Sequence, residues 1–163
     1  MDSRTSWKEM NFYYGQIVSL SPNEIFVFGS NPEGRHGKGS AKIAKEKFGA
    51  QYGVGRGLTG RCYALPTKNL TANYFEKSTG ITYSRYGEKS ISKEQIKDNI
   101  KDLYEFAEEK LNVRFYIAYN YTDTNLNGYT GDEMFEMFSS RKIPNNIILH
   151  ESFKQKFNTE ELW

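Results

Sequence analysis

The sequence has little of several features that would each place a protein in a definite class. Its 163 residues include one cysteine, Cys62, which excludes an internal disulfide and suits a reducing compartment. We expect this thiol to be buried and inert. Two histidines, His36 and His150, are too few to build a Cys/His zinc site, so we expect no metal and no cofactor. No apolar run approaches the roughly 20 residues that a transmembrane helix needs, which argues against a membrane partner.

The length and the composition predict a small globular protein. Residues Met1–Trp7 lack the apolar run of a signal peptide, so we expect a cytoplasmic protein. The length predicts a single domain over residues 1–163. Only 37% of the residues are hydrophobic, but 15% are aromatic, and this aromatic content argues against disorder.

Glycine and positive charge are concentrated in one part of the chain. Nine of the fourteen glycines lie between Gly29 and Gly60, and the first of them directly follow an apolar strand pattern at residues 25–28. A helical pattern begins at Ala41. A strand, a glycine-rich loop and a helix N-terminus allow backbone N–H groups to approach a phosphate. Residues 34–61 also carry seven Lys/Arg against one acid, which favours an anionic ligand such as a nucleotide.

Strand and helix patterns alternate along the rest of the chain. Capping boxes at Ser92 and Thr130 predict two helix starts, and Ile81–Tyr83 is an extended piece within an otherwise unassigned segment. The predicted strands are residues 25–29, 61–66, 114–119 and 146–150, and the predicted helices are residues 41–48, 93–111 and 131–138, with a closing helical turn at 151–157. This order predicts an α/β layered fold with a mostly parallel or mixed central sheet flanked by helices.

In such sheets, ligands bind beyond the carboxyl ends of the strands, where the loops 29–39, 66–75 and 120–131 should converge. In the first loop the Asn31 amide suits ribose hydroxyls, while Arg35 and Lys38 suit phosphates. His36 fits either acid–base chemistry or a bracing role, and the whole loop also fits a merely flexible turn. The candidate ligand-binding residues of this loop are Gly29, Ser30, Asn31, Gly34, Arg35, His36, Gly37, Lys38 and Gly39.

The other two loops supply candidates for chemistry. Thr67 and Lys68 follow the second predicted strand, where the lysine fits a point charge for phosphate, a nucleophile, or an ordinary surface residue. Asp123 is the carboxylate inside the third loop from which a catalytic acid would have to come. The ligand-binding candidates of the third loop are Asn125, Leu126, Asn127, Gly128 and Tyr129. The glycine-rich segment 49–60 fits equally a lid over the ligand or a surface wrap.

Several of these motifs resemble the macrodomain family, and within it the small branch of terminal ADP-ribose glycohydrolases that use a lysine. The similar segments are Gly37–Ala41 continuing through Lys47–Ala50, Tyr63–Lys68, and the loop Leu126–Gly128. A strand followed by Phe-Gly-Ser-Asn and then Gly-Arg-His-Gly, at residues 28–31 and 34–37, is also similar to phage-encoded macro-like proteins. Together the matches cover most of residues 25–138.

The resemblance implies a macrodomain-like fold with ADP-ribose bound in a crevice above the sheet, its diphosphate on the two glycine loops. It places Lys68 where the lysine of that branch attacks the distal ribose, and it aligns Asn127 with the branch's aspartate. Because an amide cannot deliver a proton as a carboxylic acid does, hydrolysis of ADP-ribose from modified macromolecules is in question. Asp123 would substitute for the aspartate only if the loop folds it inward.

Two alternatives to hydrolysis stay open. One is binding alone, as in the sequestration of a nucleotide immune signal by a phage-encoded protein in a bacterial cytoplasm. The other is nucleic-acid binding, since a basic glycine-rich stretch with aromatic residues can follow a phosphate backbone. Against the second alternative, the net charge is only +2 and no recognised nucleic-acid motif is present.

Overall fold

The structure, a computed structural model, describes residues 11–161 and the side chains as far as Phe157. Residues 1–7, on which the expectation about an export signal rests, lie outside this part. In chain order the elements are β1 (Phe12–Tyr13), β2 (Glu24–Ser30), α1 (Gly39–Lys47), β3 (Gly57–Thr59), β4 (Cys62–Pro66), β5 (Tyr74–Glu76), β6 (Ile81–Tyr83), α2 (Lys93–Glu108), β7 (Arg114–Ile117), α3 (Gly131–Phe138), β8 (Ile147–His150), a 3₁₀ turn (Glu151–Phe153) and α4 (Lys154–Glu161).

Six strands form the main sheet in the order β1-β8-β7-β2-β4-β3, and β5 pairs with β6 in a separate hairpin. Strands β1, β8, β7, β2 and β4 run parallel, whereas β3 is antiparallel to β4. This confirms the expected α/β layered fold with a mostly parallel, mixed sheet. Because β2, β4 and β7 are parallel neighbours, their carboxyl ends lie at one edge of the sheet, as the predicted crevice requires.

The core lies on both faces of the sheet. Val27 belongs to one buried cluster, whereas Phe26 and Phe28 belong to another, because successive side chains of a strand point to opposite faces. Helices α2 and α3 contribute to the first cluster, and α1 contributes Ala41 and Ala44 to the second. All five residues of β4 are buried, as expected for a parallel strand that is covered on both faces.

Two helix starts follow their sequence signals, whereas the end of α2 does not. Both capping boxes, at Ser92 and at Thr130, are present with both hydrogen bonds. Helix α2 ends at Glu108 rather than near 111, because the Lys110 N–H bonds back to Ala107 O in a tightened last turn. Leu111 therefore lies beyond the helix with 77% of its surface exposed.

Three short strands have no counterpart in the sequence interpretation: β1, β3 and β5. The extended piece Ile81–Tyr83 is confirmed as β6. Cys62 is buried, as predicted, with its thiol directed at the carbonyl oxygens of Ala44 and Phe48, and burial raises its pKa to about 12. Within residues 11–161, no helix is long and apolar enough to cross a membrane.

Candidate functional site

The first ligand loop is held in shape by the Asn31 side chain. Its Oδ1 accepts from the Arg35 N–H at 3.0 Å, and its Nδ2 donates to the Arg35 carbonyl at 2.8 Å. Asn31 is only 7% exposed, whereas the Arg35 side chain is exposed and interacts with the Tyr52 hydroxyl. The amide that the sequence assigns to a ribose is therefore also the group that closes the loop.

Two glycines of this region allow two loop backbones to pack directly on each other. Gly34 has φ +72°, and a Cβ there would collide with the backbone of Gly53. A Cβ on Gly55 would likewise collide with the Asn31 carbonyl oxygen. Since the Gly53 N–H also donates to Gly34 O at 2.8 Å, the segment 49–60 is a fixed wall of the first loop and not a detached lid.

His36 braces the same contact from inside. It is 2% exposed, its Nε2 lies 3.2 Å from Val54 O, and its ring packs edge-on against Phe28. Its Nδ1 has no hydrogen-bond partner among residues 11–161. Burial lowers the pKa of His36, which favours a neutral ring that donates from Nε2 to Val54. The geometry supports the bracing role that the sequence left open.

The loop opens toward solvent just before α1. Lys38, the N-cap residue, is extended and exposed, and its side chain makes no capping hydrogen bond. The first turn of α1 contains no acidic residue, so no carboxylate of that turn accepts a hydrogen bond from its backbone N–H groups. A Cβ on Gly37 would meet nothing within 4 Å. This helix end is positively polarised and is open on the side of Gly37, an arrangement that suits a bound anion.

Lys68 sits on a corner of the chain whose backbone is fixed on both sides. Before it, the Thr67 N–H donates to Ser30 O at 3.0 Å, and after it, the Asn69 N–H donates to Ser90 Oγ at 2.7 Å. Asn69 is fully buried, and its Nδ2 donates to the carbonyls of Thr71, Tyr83 and Arg85. Lys68 itself is half-buried and makes no hydrogen bond or ion pair within the described chain. An ammonium group without a partner among the described residues is thus mounted on a backbone that hydrogen bonds fix on both sides.

Tyr119 is a site residue that the sequence interpretation did not select. Its hydroxyl lies 2.9 Å from Thr67 Oγ1, and a Cβ on Gly29 would collide with the same hydroxyl. Gly29 is therefore needed so that Tyr119 can cross the end of β2. Burial raises the Tyr119 pKa to about 12, and its hydrogen bond with Thr67 and the nearby Asn127 side chain partly oppose that rise. The sequence could have indicated Tyr119, because it is an aromatic residue with a polar group directly after a strand whose carboxyl end lies at the proposed ligand crevice.

The third loop is organised largely by its own side chains. Asn127 is 2% exposed; its Oδ1 accepts from the Tyr129 N–H at 2.9 Å and its Nδ2 lies 3.5 Å from Met134 Sδ. Asn125 Nδ2 donates to Tyr129 O at 2.9 Å. The Tyr129 ring belongs to the core, with its hydroxyl on Ile91 O at 2.7 Å. Asn127 and Tyr129 therefore lie beneath the surface of the loop.

The outer part of this loop meets the first loop. Leu126 is 57% exposed, and its Cδ1 would lie 2.9 Å from a Cβ on Gly39. Gly128 has φ +89° and packs against the chain at Glu88. These two constraints explain why a glycine occupies this position, and no ligand contact is needed to explain it. Asp123 is exposed and makes no hydrogen bond or ion pair with other described residues. The structure thus brings Leu126 to the first loop and leaves Asp123 in solvent.

An open cleft of about 510 Å³ lies beside the first loop, away from the strand ends. Pro32 borders it, the backbone of Gly53–Gly55 forms one wall, and Tyr74–Ser78 of the hairpin region form the other. Neither Thr67 nor Lys68 lines this cleft. We place the candidate site at the carboxyl ends of the parallel strands, because the open helix end and Lys68, which has no partner among the described residues, belong to that edge.

Within residues 11–161, no group of three or more His, Cys, Asp or Glu side chains could hold a metal ion. In comparisons with protein-family models, curated proteins and solved structures, no match to this chain was found.

Proposed function

We propose that the protein binds ADP-ribose or a related NAD-derived nucleotide at the carboxyl ends of β2, β4 and β7. The observation that carries the proposal is the direct contact between the three loops at this edge. Thr67 bonds to Ser30 at the end of β2 and to Tyr119 beyond β7, and Leu126 packs over Gly39. Loops that meet at the carboxyl ends of parallel strands form the usual ligand crevice of this architecture.

The first turn of α1 supplies the phosphate subsite in this proposal. Backbone N–H groups there lack an acidic side chain, and Lys38 is exposed beside them. Gly37 leaves the approach open. An anion gains both the hydrogen bonds of free N–H groups and the field of the helix dipole, and Lys38 adds a mobile positive charge. A diphosphate fits these donors better than a neutral ligand does.

Whether such a ligand is also hydrolysed depends on Lys68. The resemblance to the lysine-using glycohydrolase branch makes Lys68 the candidate nucleophile. That branch also uses a carboxylic acid, for which this chain offers the buried amide of Asn127 and the solvent-exposed Asp123. An amide cannot deliver a proton as a carboxylic acid does, and no described residue holds the exposed Asp123 side chain at the crevice. This observation favours a protein that retains its nucleotide, as a sequestering protein does, over one that turns it over.

Calorimetric titration tests the proposal. ADP-ribose, NAD, cyclic ADP-ribose and a short single-stranded oligonucleotide are titrated separately at two salt concentrations. We expect one of the three nucleotides to bind with a Kd in the nanomolar to micromolar range. Lys38→Ala should weaken that binding, whereas Lys77→Ala, an exposed lysine at the separate cleft, should not. Strong, steeply salt-dependent binding of the oligonucleotide alone would instead identify a nucleic-acid-binding protein.

A further inference from the structure

Glu33 is a carboxylate of the first ligand loop that bonds to the second loop, residues 66–75. Its Oε2 accepts from Thr71 Oγ1 at 2.8 Å. Thr71 is anchored to the corner around Lys68, because its carbonyl oxygen accepts from the buried Asn69 Nδ2 at 2.7 Å. The Glu33 side chain therefore reaches from the loop after β2 to the loop that carries Lys68.

Most of the hydrogen-bonding capacity of this carboxylate is unused. An ionised carboxylate has about four lone-pair positions and can only accept. The bond from Thr71 takes one of them, and Glu33 Oε1 has no hydrogen bond or ion pair with any residue of the described chain. Glu33 is half-buried, so it is not enclosed by the protein. A ligand that carries hydroxyl groups would find an acceptor there.

Glu33 is better placed than Asn31 to accept hydrogen bonds from a sugar. The sequence assigns a ribose to Asn31, but its Oδ1 and Nδ2 atoms each already bond to the backbone of Arg35. The loops that follow β2 and β4 contain no second acidic residue. Because hydrogen bonds to an ionised acceptor are stronger than those to a neutral one, Glu33 is the strongest side-chain acceptor of these two loops.

The order of the strands gives the crevice two different sides. Strand β2 lies between β7 and β4, so the first loop lies between the third loop and the second. Glu33 bonds to the second loop, whereas Gly39 meets Leu126 of the third loop, a residue that is 57% exposed. A ligand held by its diphosphate at the start of α1 can thus extend toward a carboxylate on one side and an exposed apolar side chain on the other.

We propose that Glu33 accepts hydrogen bonds from the neighbouring hydroxyls of the terminal ribose of ADP-ribose, with the adenosine on the Leu126 side. The inference rests on the proposed function, because it assigns the sugar subsite of the same crevice. Neighbouring hydroxyls present two donors to a carboxylate, and acidic residues bind ribose in this way in dinucleotide sites. Glu33 would repel a phosphate. It is thus a specificity-determining residue that selects a sugar.

Thr71 and the charge of Glu33 have distinct parts in this arrangement. Thr71 is a positioning residue, since its hydroxyl fixes one carboxylate oxygen and leaves the other to the ligand. Glu33 acts in its ionised form, which accepts hydrogen bonds and supplies no proton. Such binding is compatible with a protein that holds its nucleotide and does not turn it over.

Calorimetric titration of ADP-ribose and ADP tests this subsite, since ADP has the same adenosine and diphosphate but lacks the terminal ribose. Glu33→Gln keeps an acceptor for Thr71 and replaces the other oxygen with an NH₂ group. We expect this variant to bind ADP-ribose about tenfold more weakly, the cost of a hydrogen bond to a charged group, and to bind ADP no more weakly than wild type. Glu46→Gln, which neutralises an exposed acid on α1, should change neither affinity. Equal weakening of both ligands by Glu33→Gln would overturn the subsite.

Thr71 variants test whether the carboxylate must be held in place. Thr71→Val should weaken ADP-ribose binding several-fold and leave ADP binding unchanged, and Thr71→Ser should restore the wild-type preference. In a Glu33→Ala background, Thr71→Val should have no further effect. A loss of the same size in both backgrounds would overturn the positioning role of Thr71. Melting curves on every variant separate these effects from loss of folding.

Two smaller ligands distinguish failure of the sugar subsite from failure of the proposed function. Ribose 5-phosphate carries the neighbouring hydroxyls and a phosphate, and 2-deoxyribose 5-phosphate lacks one of those hydroxyls. A Glu33-dependent preference for ribose 5-phosphate, without binding of ADP-ribose, would support the sugar subsite and reject the nucleotide ligand. Binding of ADP-ribose that Glu33→Gln does not weaken would support the nucleotide ligand and reject the sugar subsite. A wild-type protein that binds none of these ligands would overturn both.

Discussion

The guanidinium of Arg56 and the carboxylate of Glu76 form a two-pronged ion pair, with both N···O distances at 3.0 Å. Arg56 also donates to Asn99 Oδ1 at 2.7 Å, and Asn99 Nδ2 donates to Pro66 O at 2.9 Å. The pair thus connects the glycine-rich segment 49–60 and the β5–β6 hairpin to the end of β4, directly before Thr67. Segment 49–60, which forms a wall of the first loop, and the carboxyl end of β4 therefore belong to one network of hydrogen bonds.

Glu76→Gln should destabilise the fold by roughly 3 kcal/mol, because it leaves a largely buried guanidinium without its counter-charge. This value is at the lower end of the usual cost of removing one partner of a buried ion pair, because the Arg56 side chain is 20% exposed. Urea denaturation measures the change. The matched control is Asp132→Asn, which removes the exposed Asp132–Lys156 pair and should cost little. Similar losses for the two variants would contradict a special role for the Arg56–Glu76 pair.

The same pair predicts how stability depends on pH. Burial raises the pKa of Glu76, but hydrogen bonds from Arg56, Thr79 and Tyr83 more than offset it, so the pKa lies below its ordinary value. A carboxylate whose pKa is lower in the folded state than in the unfolded state stabilises the fold at pH values above its unfolded-state pKa. This stabilisation is lost as the pH falls through the folded-state pKa. We therefore expect the free energy of unfolding to decrease when the pH is lowered below about 4.5. In Glu76→Gln that acid-induced decrease should be smaller.

Gly37→Val tests whether a ligand approaches the backbone before α1. A Cβ at Gly37 meets no protein atom within 4 Å, and φ there is not in the left-handed region, so the fold should tolerate the change. A bound diphosphate would meet the new side chain, and ADP-ribose affinity should fall at least tenfold, about 1.4 kcal/mol. Calorimetry together with a melting curve measures both effects. Unchanged affinity in a variant that melts normally would place the ligand elsewhere.

Gly39→Val is the companion variant, with a different expectation. Gly39 has φ +57°, and a Cβ there would crowd Leu126 Cδ1 at 2.9 Å. We therefore expect both the melting temperature and the ADP-ribose affinity to fall. If Gly37→Val lowers only the affinity and Gly39→Val lowers both the affinity and the melting temperature, Gly37 contacts the ligand and Gly39 is needed for packing of the loops.

Asn31→Ala should lower stability, because it removes both hydrogen bonds that close the first loop onto Arg35. We expect a loss on the order of 1–3 kcal/mol, as for other buried polar groups left without partners. Nucleotide affinity should also fall if the amide contacts a ribose as the sequence predicts. A melting temperature equal to that of the wild type would show that the loop does not depend on this side chain.

Lys68 can be tested as a nucleophile apart from its charge. If it attacks the ribose, intact-protein mass spectrometry with an ADP-ribosylated substrate should show a covalent lysyl adduct. Lys68→Arg should keep nucleotide affinity and lose the adduct, whereas Lys68→Ala should lose both. Because Asn127 is a buried amide and Asp123 is exposed, an adduct should persist and not turn over. Tight binding with no adduct in the wild type would identify a binding protein.

The sequence by itself determined the alternation of strands and helices, the two capped helix starts and the location of the loops. These features depend on local signals: apolar periodicity, Ser92 and Thr130 at helix N-caps, and glycines after a strand. The parallel sheet followed from the same alternation, since parallel strands need crossover helices. The buried state of Cys62 could also be inferred, because it begins a continuous apolar strand.

The tertiary structure alone decided how the polar residues of those loops are used. Asn31, Asn127 and Tyr129 suit a ligand by residue type, but each bonds to protein groups that the fold brings close to it. Tyr119 gained its place at the site because β7 lies beside β2 and Gly29 leaves room for its hydroxyl. Such contacts join residues far apart in the chain, and a hydrogen-bonding side chain does not encode locally which partner it will meet.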